Sequence, residues 1–118
     1  MLHVYVDGSG KPKSTYCYYV KETNQFKYYN SEQELTNNQA EYLAIRSALI
    51  DLLDDKDIVI YSDSKLVVNQ LNREYAINDE ILRGLAFEIW NMIANANANV
   101  RFEWIGRKEN PAGKMLGS

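Results

Sequence analysis

The stretch Leu35-Thr36-Asn37-Asn38-Gln39-Ala40-Glu41 stands at the start of the first helical pattern in the chain. Polar residues of the kind that cap helices come first, and from Ala40 to Leu52 apolar residues recur at helical spacing. This pattern predicts an amphipathic helix over residues 38–53. Glu41 is the only acid in its opening turns, so the helix would carry a single carboxylate near one end.

Strand patterns lie on both sides of this helix. Three β-rich runs precede it and one apolar run follows it, at residues 2–7, 14–20, 25–29 and 58–61. Two more helical patterns and a last strand follow, at residues 64–71, 78–96 and 100–105. A helical crossover is typical of parallel neighbours, whereas short turns join antiparallel strands. The chain therefore predicts an α/β fold: a mixed five-stranded sheet, three antiparallel strands and then parallel strands, flanked by helices.

The composition predicts one soluble domain over residues 1–118. Hydrophobic residues make up 46% and charged residues 25%, and no run approaches the ~20 apolar residues of a membrane span. Met1 leads directly into a strand without a basic leader, and Cys17 has no second cysteine to pair with. These features predict a cytoplasmic protein without membrane association. The net charge of -3 excludes a strongly basic coat but leaves nucleic acid open as a substrate.

Two more acids would complete a metal site with Glu41. Asp7 and Asp63 each follow a predicted strand, and the carboxyl ends of neighbouring parallel strands are where open α/β sheets bind ligands. Clustered carboxylates repel unless a hard divalent cation neutralises them, and two Mg²⁺ ions about 4 Å apart can activate water for phosphodiester cleavage. Each acid also has a plainer interpretation. Ser62 or Asp63 is placed to cap the helix over residues 64–71, and Glu41 can be a solvated first-turn acid.

Three motifs together are similar to those of type 1 ribonuclease H. They are Tyr5-Val6-Asp7-Gly8-Ser9, Thr36-Asn37-Asn38-Gln39-Ala40-Glu41 and Tyr61-Ser62-Asp63-Ser64, and the similarity extends to the closing Trp104-Ile105-Gly106-Arg107. The resemblance implies a ribonuclease H-like fold and an endonuclease that hydrolyses the RNA strand of RNA/DNA hybrids. It also implies Mg²⁺ or Mn²⁺ as cofactor, with two ions when substrate is bound. The products would carry 5′-phosphate and 3′-hydroxyl ends.

The resemblance also implies roles for individual residues. The catalytic metal ligands would be Asp7, Glu41 and Asp63. Asn38, with the backbone of Gly8 and Ser9, would contact the minor groove near 2′-hydroxyls, the groups that distinguish RNA from DNA. Four further residues would contact the substrate or adjoin the site: Thr36, Asn37, Ser64 and Arg107.

The chain departs from the family at the fourth active-site carboxylate, usually an Asp that opens the last helix. A gap-free alignment of residues 107–116 places Lys114 there, and an ammonium group cannot ligate a metal. Asn110 is the better candidate for the fourth catalytic and metal-binding residue. Its amide oxygen can coordinate a hard cation, and Pro111 after it would leave it at a helix cap facing the site. A plain cap without metal is the alternative, and Glu109 is a third option.

The chain differs from many family members in two further places. Arg107 stands where they carry a mobile His, or in some an Arg, that assists product release. The segment over residues 72–79, between the later helices, lacks their basic protrusion. We therefore expect modest, salt-sensitive affinity for the substrate.

Two other functions suit the same motifs. One is a related polynucleotidyl-transferase or exonuclease, and the other is a non-catalytic or weakly active module that binds hybrids. Three intact acids favour an active enzyme, because a binding module gains nothing from their mutual repulsion. The predicted partner is an RNA/DNA hybrid, bound by a monomer with no obligate protein partner.

Overall fold

One mixed sheet of five strands forms the centre of the molecule. In the computed structural model, which describes residues 1–117, the strands are β1 (Leu2–Ser9), β2 (Thr15–Val20), β3 (Gln25–Asn30), β4 (Asp57–Ser62) and β5 (Asn99–Trp104). Their order across the sheet is β3-β2-β1-β4-β5. β2 is antiparallel to both β1 and β3, whereas β4 is parallel to both β1 and β5. The predicted α/β fold with a mixed sheet is confirmed.

Helices connect these strands and cover the sheet. Over residues 1–117 they are α1 (Asn37–Leu52), α2 (Lys65–Leu71), α3 (Glu80–Ala96) and α4 (Pro111–Leu116), with a 3₁₀ turn at Arg107–Glu109 before α4. α1 lies between β3 and β4 in the chain, and such a crossover lets β4 run parallel to β1. Within the same residues, no helix has both the length and the apolar character needed to cross a bilayer.

Side-chain caps fix where the helices begin. At α1, the hydroxyl of Thr36 accepts from the Gln39 N–H at 3.0 Å, and the Gln39 side chain accepts from the Thr36 N–H at 3.0 Å. This reciprocal pair is a capping box. At α2 the cap is Ser64, so the expectation that Ser62 or Asp63 caps this helix is wrong. The backbone at Ser64 is still extended, with φ -93° and ψ 106°, and the helix therefore begins one residue later.

The main core lies between one face of the sheet and the helices α1 and α3. Alternate residues of the central strands point into it, as expected for strands with one face on a core. Its fully buried side chains include Val4, Val6, Ile58 and Ile60 from the strands and Ile45, Leu49 and Ile89 from the helices.

The short helix α4 covers part of the opposite face of the sheet. Its residues Ala112 and Leu116 form a second buried cluster with Cys17 of β2, and Tyr5 of β1 packs against this cluster. Asn110, which caps α4, is consequently held against β1 at Val6. This packing brings the start of α4 next to the residue that precedes Asp7.

Candidate metal centre

The three predicted acids converge just beyond the last paired residues of β1 and β4. The first strand was predicted to end at Asp7, but its pairing with β2 continues to Ser9. The parallel register of these strands pairs Tyr5 with Tyr61, so Asp7 and Asp63 each lie two residues beyond this pair. Oxygen atoms from the carboxylates of Asp7, Glu41 and Asp63 lie within 4.8 Å of one another. The structure therefore brings together the three residues predicted as metal ligands.

Gly8 allows the start of α1 to approach β1 closely. A Cβ atom at Gly8 would lie 2.4 Å from the carbonyl carbon of Ala40 and 2.6 Å from the nitrogen of Glu41, both main-chain atoms that cannot move aside easily. Gly10 is equally confined, because its Cβ would lie 2.6 Å from the nitrogen of Asn37. These two glycines let the helix place Glu41 beside Asp7.

Glu41 is 4% exposed, which rules out the interpretation as a solvated first-turn acid. Burial raises the pKa of Glu41 well above its ordinary value, and the charges of Asp7 and Asp63 raise it further. A hydrogen bond from the Ser62 hydroxyl to Glu41 Oε2, 3.2 Å long, opposes this shift. A divalent cation among the three acids would oppose it far more strongly, because it favours the ionised carboxylates.

The available ligands suit a hard divalent cation. The three acids provide only carboxylate oxygens, the ligand type that Mg²⁺ and Mn²⁺ prefer. Cys17 is nearby but unsuited, because burial, with the charges of Asp7 and Glu41, raises the pKa of its thiol to about 12. The residues present therefore fit Mg²⁺ or Mn²⁺ and do not favour a softer metal.

A cavity of about 310 Å³ opens beside the acids. Its lining consists of Asp7, Gly8, Ser9, Asn37, Asn38, Glu41, Asp63, Ser64 and Arg107. All of these were predicted for the site, and the structure places them around one space. Their roles as ligands or substrate contacts stay predictions. The two predicted site residues outside this lining are Thr36 and Asn110.

Thr36 is engaged in the helix cap. Its hydroxyl oxygen accepts the hydrogen bond from Gln39 within the capping box of α1. Thr36 therefore stabilises the start of α1, and its contact with the substrate backbone stays a prediction.

Asn110 lies beside the acids, but its amide oxygen does not face them. The residue is fully buried, and its Oδ1 accepts from the Ala112 N–H at 3.1 Å. Its Nδ2 donates to the Val6 carbonyl at 2.9 Å and to Asp63 Oδ2 at 3.1 Å. In this orientation the amide nitrogen, and not the oxygen, faces Asp63, and the metal-binding role of Asn110 stays a prediction. The backbone occupies that oxygen, and an NH₂ group is a donor that cannot coordinate a cation.

The other residues considered for the fourth position are exposed. Lys114 lies on α4 and Glu109 in the preceding 3₁₀ turn, where its carboxylate is next to Gly106. Neither belongs to the cluster of potential metal ligands found among residues 1–117. Of the predicted residues near the C-terminus, Arg107 is the one that lines the cavity.

Two contacts at the acids were not predicted. Ser62 is buried and donates to Glu41, and the indole N–H of Trp104 donates to the main-chain carbonyl of Asp63 at 3.1 Å. A serine at the end of an apolar strand is a detectable signal, because buried polar groups require partners. For Trp104 the signal is absent from the sequence, since the contact depends on the pairing of β4 with β5.

Comparison with known proteins agrees with this arrangement. The family model described as RNase H matches residues 1–111. EbsB of Enterococcus faecalis is 28% identical over 129 aligned positions, which cover 98% of this chain and 90% of that protein.

Solved structures show the same fold. LC11-RNase H1 in complex with an RNA/DNA hybrid has a TM-score of 0.88 at 23% identity, over 98% of this chain and 93% of that one. RNase H1 from the halophilic archaeon Halobacterium salinarum has a TM-score of 0.87 at 24% identity, over 98% and 92%. With the family match over nearly the whole chain, these findings show that this protein belongs to the RNase H family.

Proposed function

We propose that this protein is a metal-dependent endoribonuclease that hydrolyses the RNA strand of RNA/DNA hybrids, leaving 5′-phosphate and 3′-hydroxyl ends. The observation that carries the proposal is the convergence of Asp7, Glu41 and Asp63 within 4.8 Å beside a polar cavity, in a chain of the RNase H family. LC11-RNase H1, which has the same fold, was solved with an RNA/DNA hybrid bound. That complex supports the same substrate class for this chain.

Asp7, Glu41 and Asp63 would hold Mg²⁺ or Mn²⁺, with two ions expected in the presence of substrate. When bound, the ions supply an activated water and stabilise the charge on the leaving oxygen. The protein contributes by orienting the carboxylates. The Gly8 N–H donates to Glu41 Oε1 at 3.3 Å and the Ser62 hydroxyl donates to Oε2 at 3.2 Å. Both oxygens of Glu41 are thus directed by partners outside the metal position.

The RNA strand would be recognised by amide and main-chain groups around the cavity. Asn38 lines the cavity together with Gly8 and Ser9. We expect its side chain and their backbone to contact a 2′-hydroxyl. The Asn37 side chain is oriented because its Oδ1 accepts from the Gly10 N–H at 2.7 Å. This bond directs the oxygen to the protein and leaves the NH₂ group as the part that would meet a phosphate oxygen.

A module that binds hybrids with little or no cleavage is the second candidate. The observation that favours it is the cluster of acids itself, which among residues 1–117 has three members and no fourth acid, while Asn110 places an NH₂ group beside Asp63. The burial of Asp7 and Glu41 argues against it. Repulsion among buried acids destabilises the fold, and a module that binds no metal would gain nothing in return.

A cleavage assay separates these functions. The protein is incubated with a matched RNA/DNA hybrid, double-stranded DNA, double-stranded RNA and single strands, each with Mg²⁺, Mn²⁺ or chelator. We expect cleavage only of the RNA in the hybrid, only with metal, and its loss in Asp7→Asn. The matched control is Asp79→Asn, which exchanges the same residue types at the cap of α3 and should retain activity. Binding without cleavage under every metal condition would support the module instead.

We propose a cytoplasmic monomer as the working form. The support is chemical: the lone Cys17 is buried and unpaired, which suits a reducing compartment. Light scattering on the purified protein tests the monomer, and a mass of twice 13.6 kDa would contradict it.

A further inference from the structure

Asn110 reaches from the start of α4 into the sheet. The register of β1 and β4 runs to the pair Tyr5 and Tyr61. The Nδ2 group of Asn110 donates to the carbonyl of the next residue of β1, Val6, at 2.9 Å. The same nitrogen donates to Asp63 Oδ2 at 3.1 Å. A buried amide from α4 therefore links the two strands just beyond their last paired residues.

Two main-chain groups determine which way this amide points. The Ala112 N–H can only donate, and it lies 3.1 Å from Asn110 Oδ1. The Val6 carbonyl can only accept, and it lies 2.9 Å from Nδ2. If the amide oxygen and nitrogen exchanged places, the NH₂ group would face the Ala112 N–H, which is also a donor. The amide oxygen would face the Val6 carbonyl, which is also an acceptor. The residue is fully buried, so water cannot relieve either conflict. The nitrogen is thus held toward Asp63.

We propose that Asn110 is a positioning residue, which holds the Asp63 carboxylate through a hydrogen bond and contributes no metal ligand. Trp104 donates to the main-chain carbonyl of Asp63 at 3.1 Å, so Asp63 is held at both its backbone and its side chain. The cation would then be bound by three carboxylates, with the neutral donor of Asn110 beside one of them. The catalytic meaning of this inference rests on the proposed function, whereas the contact itself rests on geometry.

The physical effect of the donor is to restrict Asp63 before a cation binds. Without this donor, the Asp63 carboxylate would sample other rotamers. Restricting it to one rotamer when the cation binds would then cost entropy and lower the affinity for the cation. A donor also adds no negative charge to three acids that already lie within 4.8 Å. Removal of the donor should therefore weaken cation binding but leave the binding of nucleic acid unchanged once Mg²⁺ is saturating.

The first arm of the test measures the contact without metal. Asn110→Ser keeps a residue type that caps helices but lacks the amide donor. Its thermal midpoint is measured in chelator, alone and combined with Asp63→Ala. We expect Asn110→Ser to lower Tm by about 5 °C, and by a smaller amount once Asp63→Ala has removed the acceptor. Asp79→Ser, which leaves a serine cap on α3, is the matched control and should show equal shifts in both backgrounds. Equal shifts for Asn110→Ser would overturn the contact.

The second arm measures metal binding through the rise in Tm during Mg²⁺ titration. It also measures the KM for hybrid in a cleavage assay. We expect Asn110→Ser to raise the half-saturating Mg²⁺ concentration about tenfold, since hydrogen bonds to charged groups have a large net effect. At saturating Mg²⁺ the KM for hybrid should stay unchanged, and Asp79→Ser should change neither quantity. A wild-type Mg²⁺ response in Asn110→Ser would overturn the positioning role.

The two arms separate this inference from the proposed function. If the wild-type protein neither binds Mg²⁺ nor cleaves hybrids, the proposed function and the positioning role both fail. The Tm measurements in chelator still test whether Asn110 and Asp63 are in contact. If it cleaves hybrids and Asn110→Ser has a normal metal response, the function stands and the positioning role is wrong.

Discussion

At the scale of single residues, Gly8 and Asn110 determine how the three acids are placed, although neither is an acid. Gly8 sets the distance between β1 and α1, because its missing Cβ would lie 2.4 Å from the Ala40 carbonyl carbon. Asn110 sets the direction of Asp63 by a hydrogen bond of 3.1 Å. The placement of the acids therefore depends on a neutral amide and on the absence of a side chain.

Gly8→Ala should damage both stability and activity. The added methyl group can fit only if α1 moves away from β1, and such overpacking typically costs about 1–3 kcal/mol. Glu41 would move with the helix, so we expect kcat to fall about a hundredfold. Urea unfolding and hybrid cleavage measure the two effects.

The matched control is Gly84→Ala, because Gly84 is an exposed residue of α3 with no atom within 4 Å of an added Cβ. It should raise stability by about 0.5–1 kcal/mol and leave kcat unchanged. Equal effects of the two substitutions would show that the close approach at Gly8 is unimportant.

Asn110→Asp should make the stability of the protein depend on metal. In chelator, the new carboxylate would face Asp63 and leave the buried Val6 carbonyl without its donor, a loss of about 2 kcal/mol. Mg²⁺ should recover most of this loss because it offsets the repulsion. Chemical unfolding with chelator and with Mg²⁺ gives the comparison. A variant as stable as the wild type in chelator would contradict the contact with Asp63.

At the scale of elements, Asp51 ties the end of α1 to the sheet. Its carboxylate accepts hydrogen bonds from Tyr18 at 2.7 Å on β2 and from Lys27 at 3.1 Å on β3. Burial alone raises the pKa of Asp51, but hydrogen bonds from Tyr18 and Lys27 outweigh it and lower the pKa below the ordinary value of 3.8. The ionised carboxylate therefore stabilises the packing of α1 on two strands.

Asp51→Asn should lose stability that depends on pH. A pKa lowered by folding means that the stabilising effect is complete above the unfolded value and is lost as pH falls through the lower folded value. We expect a loss of at most about 1 kcal/mol, constant from pH 5 to pH 8, since solvent screens this partly exposed group. The difference from wild type should shrink below about pH 3.8. Urea unfolding across this pH range measures it.

Asp54→Asn is the control for this substitution. Asp54 is an exposed acid just after α1, and its exchange should change stability by less than about 0.5 kcal/mol at every pH. An Asp51→Asn effect that stayed constant down to pH 3 would rule out the ionised carboxylate as its cause.

At the scale of the whole molecule, charge limits how the protein can hold a nucleic acid. The net charge is -3, and three of the acids are concentrated beside the cavity. Arg107 is the single cation that lines the cavity described for residues 1–117. Phosphate contacts should therefore be few, and binding should depend on the cation held by the acids as well as on polar groups.

The affinity for hybrid should accordingly show a moderate dependence on salt. With about two phosphate contacts, an increase in NaCl from about 50 to 200 mM should raise the hybrid KM about tenfold. The KM is measured at fixed Mg²⁺ so that only the monovalent salt changes. Arg107→Ala should raise KM at low salt and reduce this slope, whereas Lys56→Ala, an exposed lysine after α1, should leave both unchanged. A KM independent of NaCl would contradict a role for phosphate contacts.

Much of the fold could be predicted because its signals are local. The capping polar residues before α1 and the alternation in the strands fixed most element bounds to within about two residues of the observed ones. The cap of α2 was misplaced because Ser62, Asp63 and Ser64 are chemically similar candidates. The cap is the last residue with an extended backbone before the helix, and Ser64 is that residue.

The sequence by itself placed Asp7 near the carboxyl end of one strand, Asp63 directly after another and Glu41 near the start of the helix between them. It also determined that the fourth position lacks an acid. Only the tertiary structure decided the burial of Glu41 and the direction of the Asn110 amide. The groups to which the Asn110 amide donates belong to Val6 and Asp63, which lie 104 and 47 residues away along the chain. Local patterns carry no information on such contacts, because folding alone brings these hydrogen-bonding groups together.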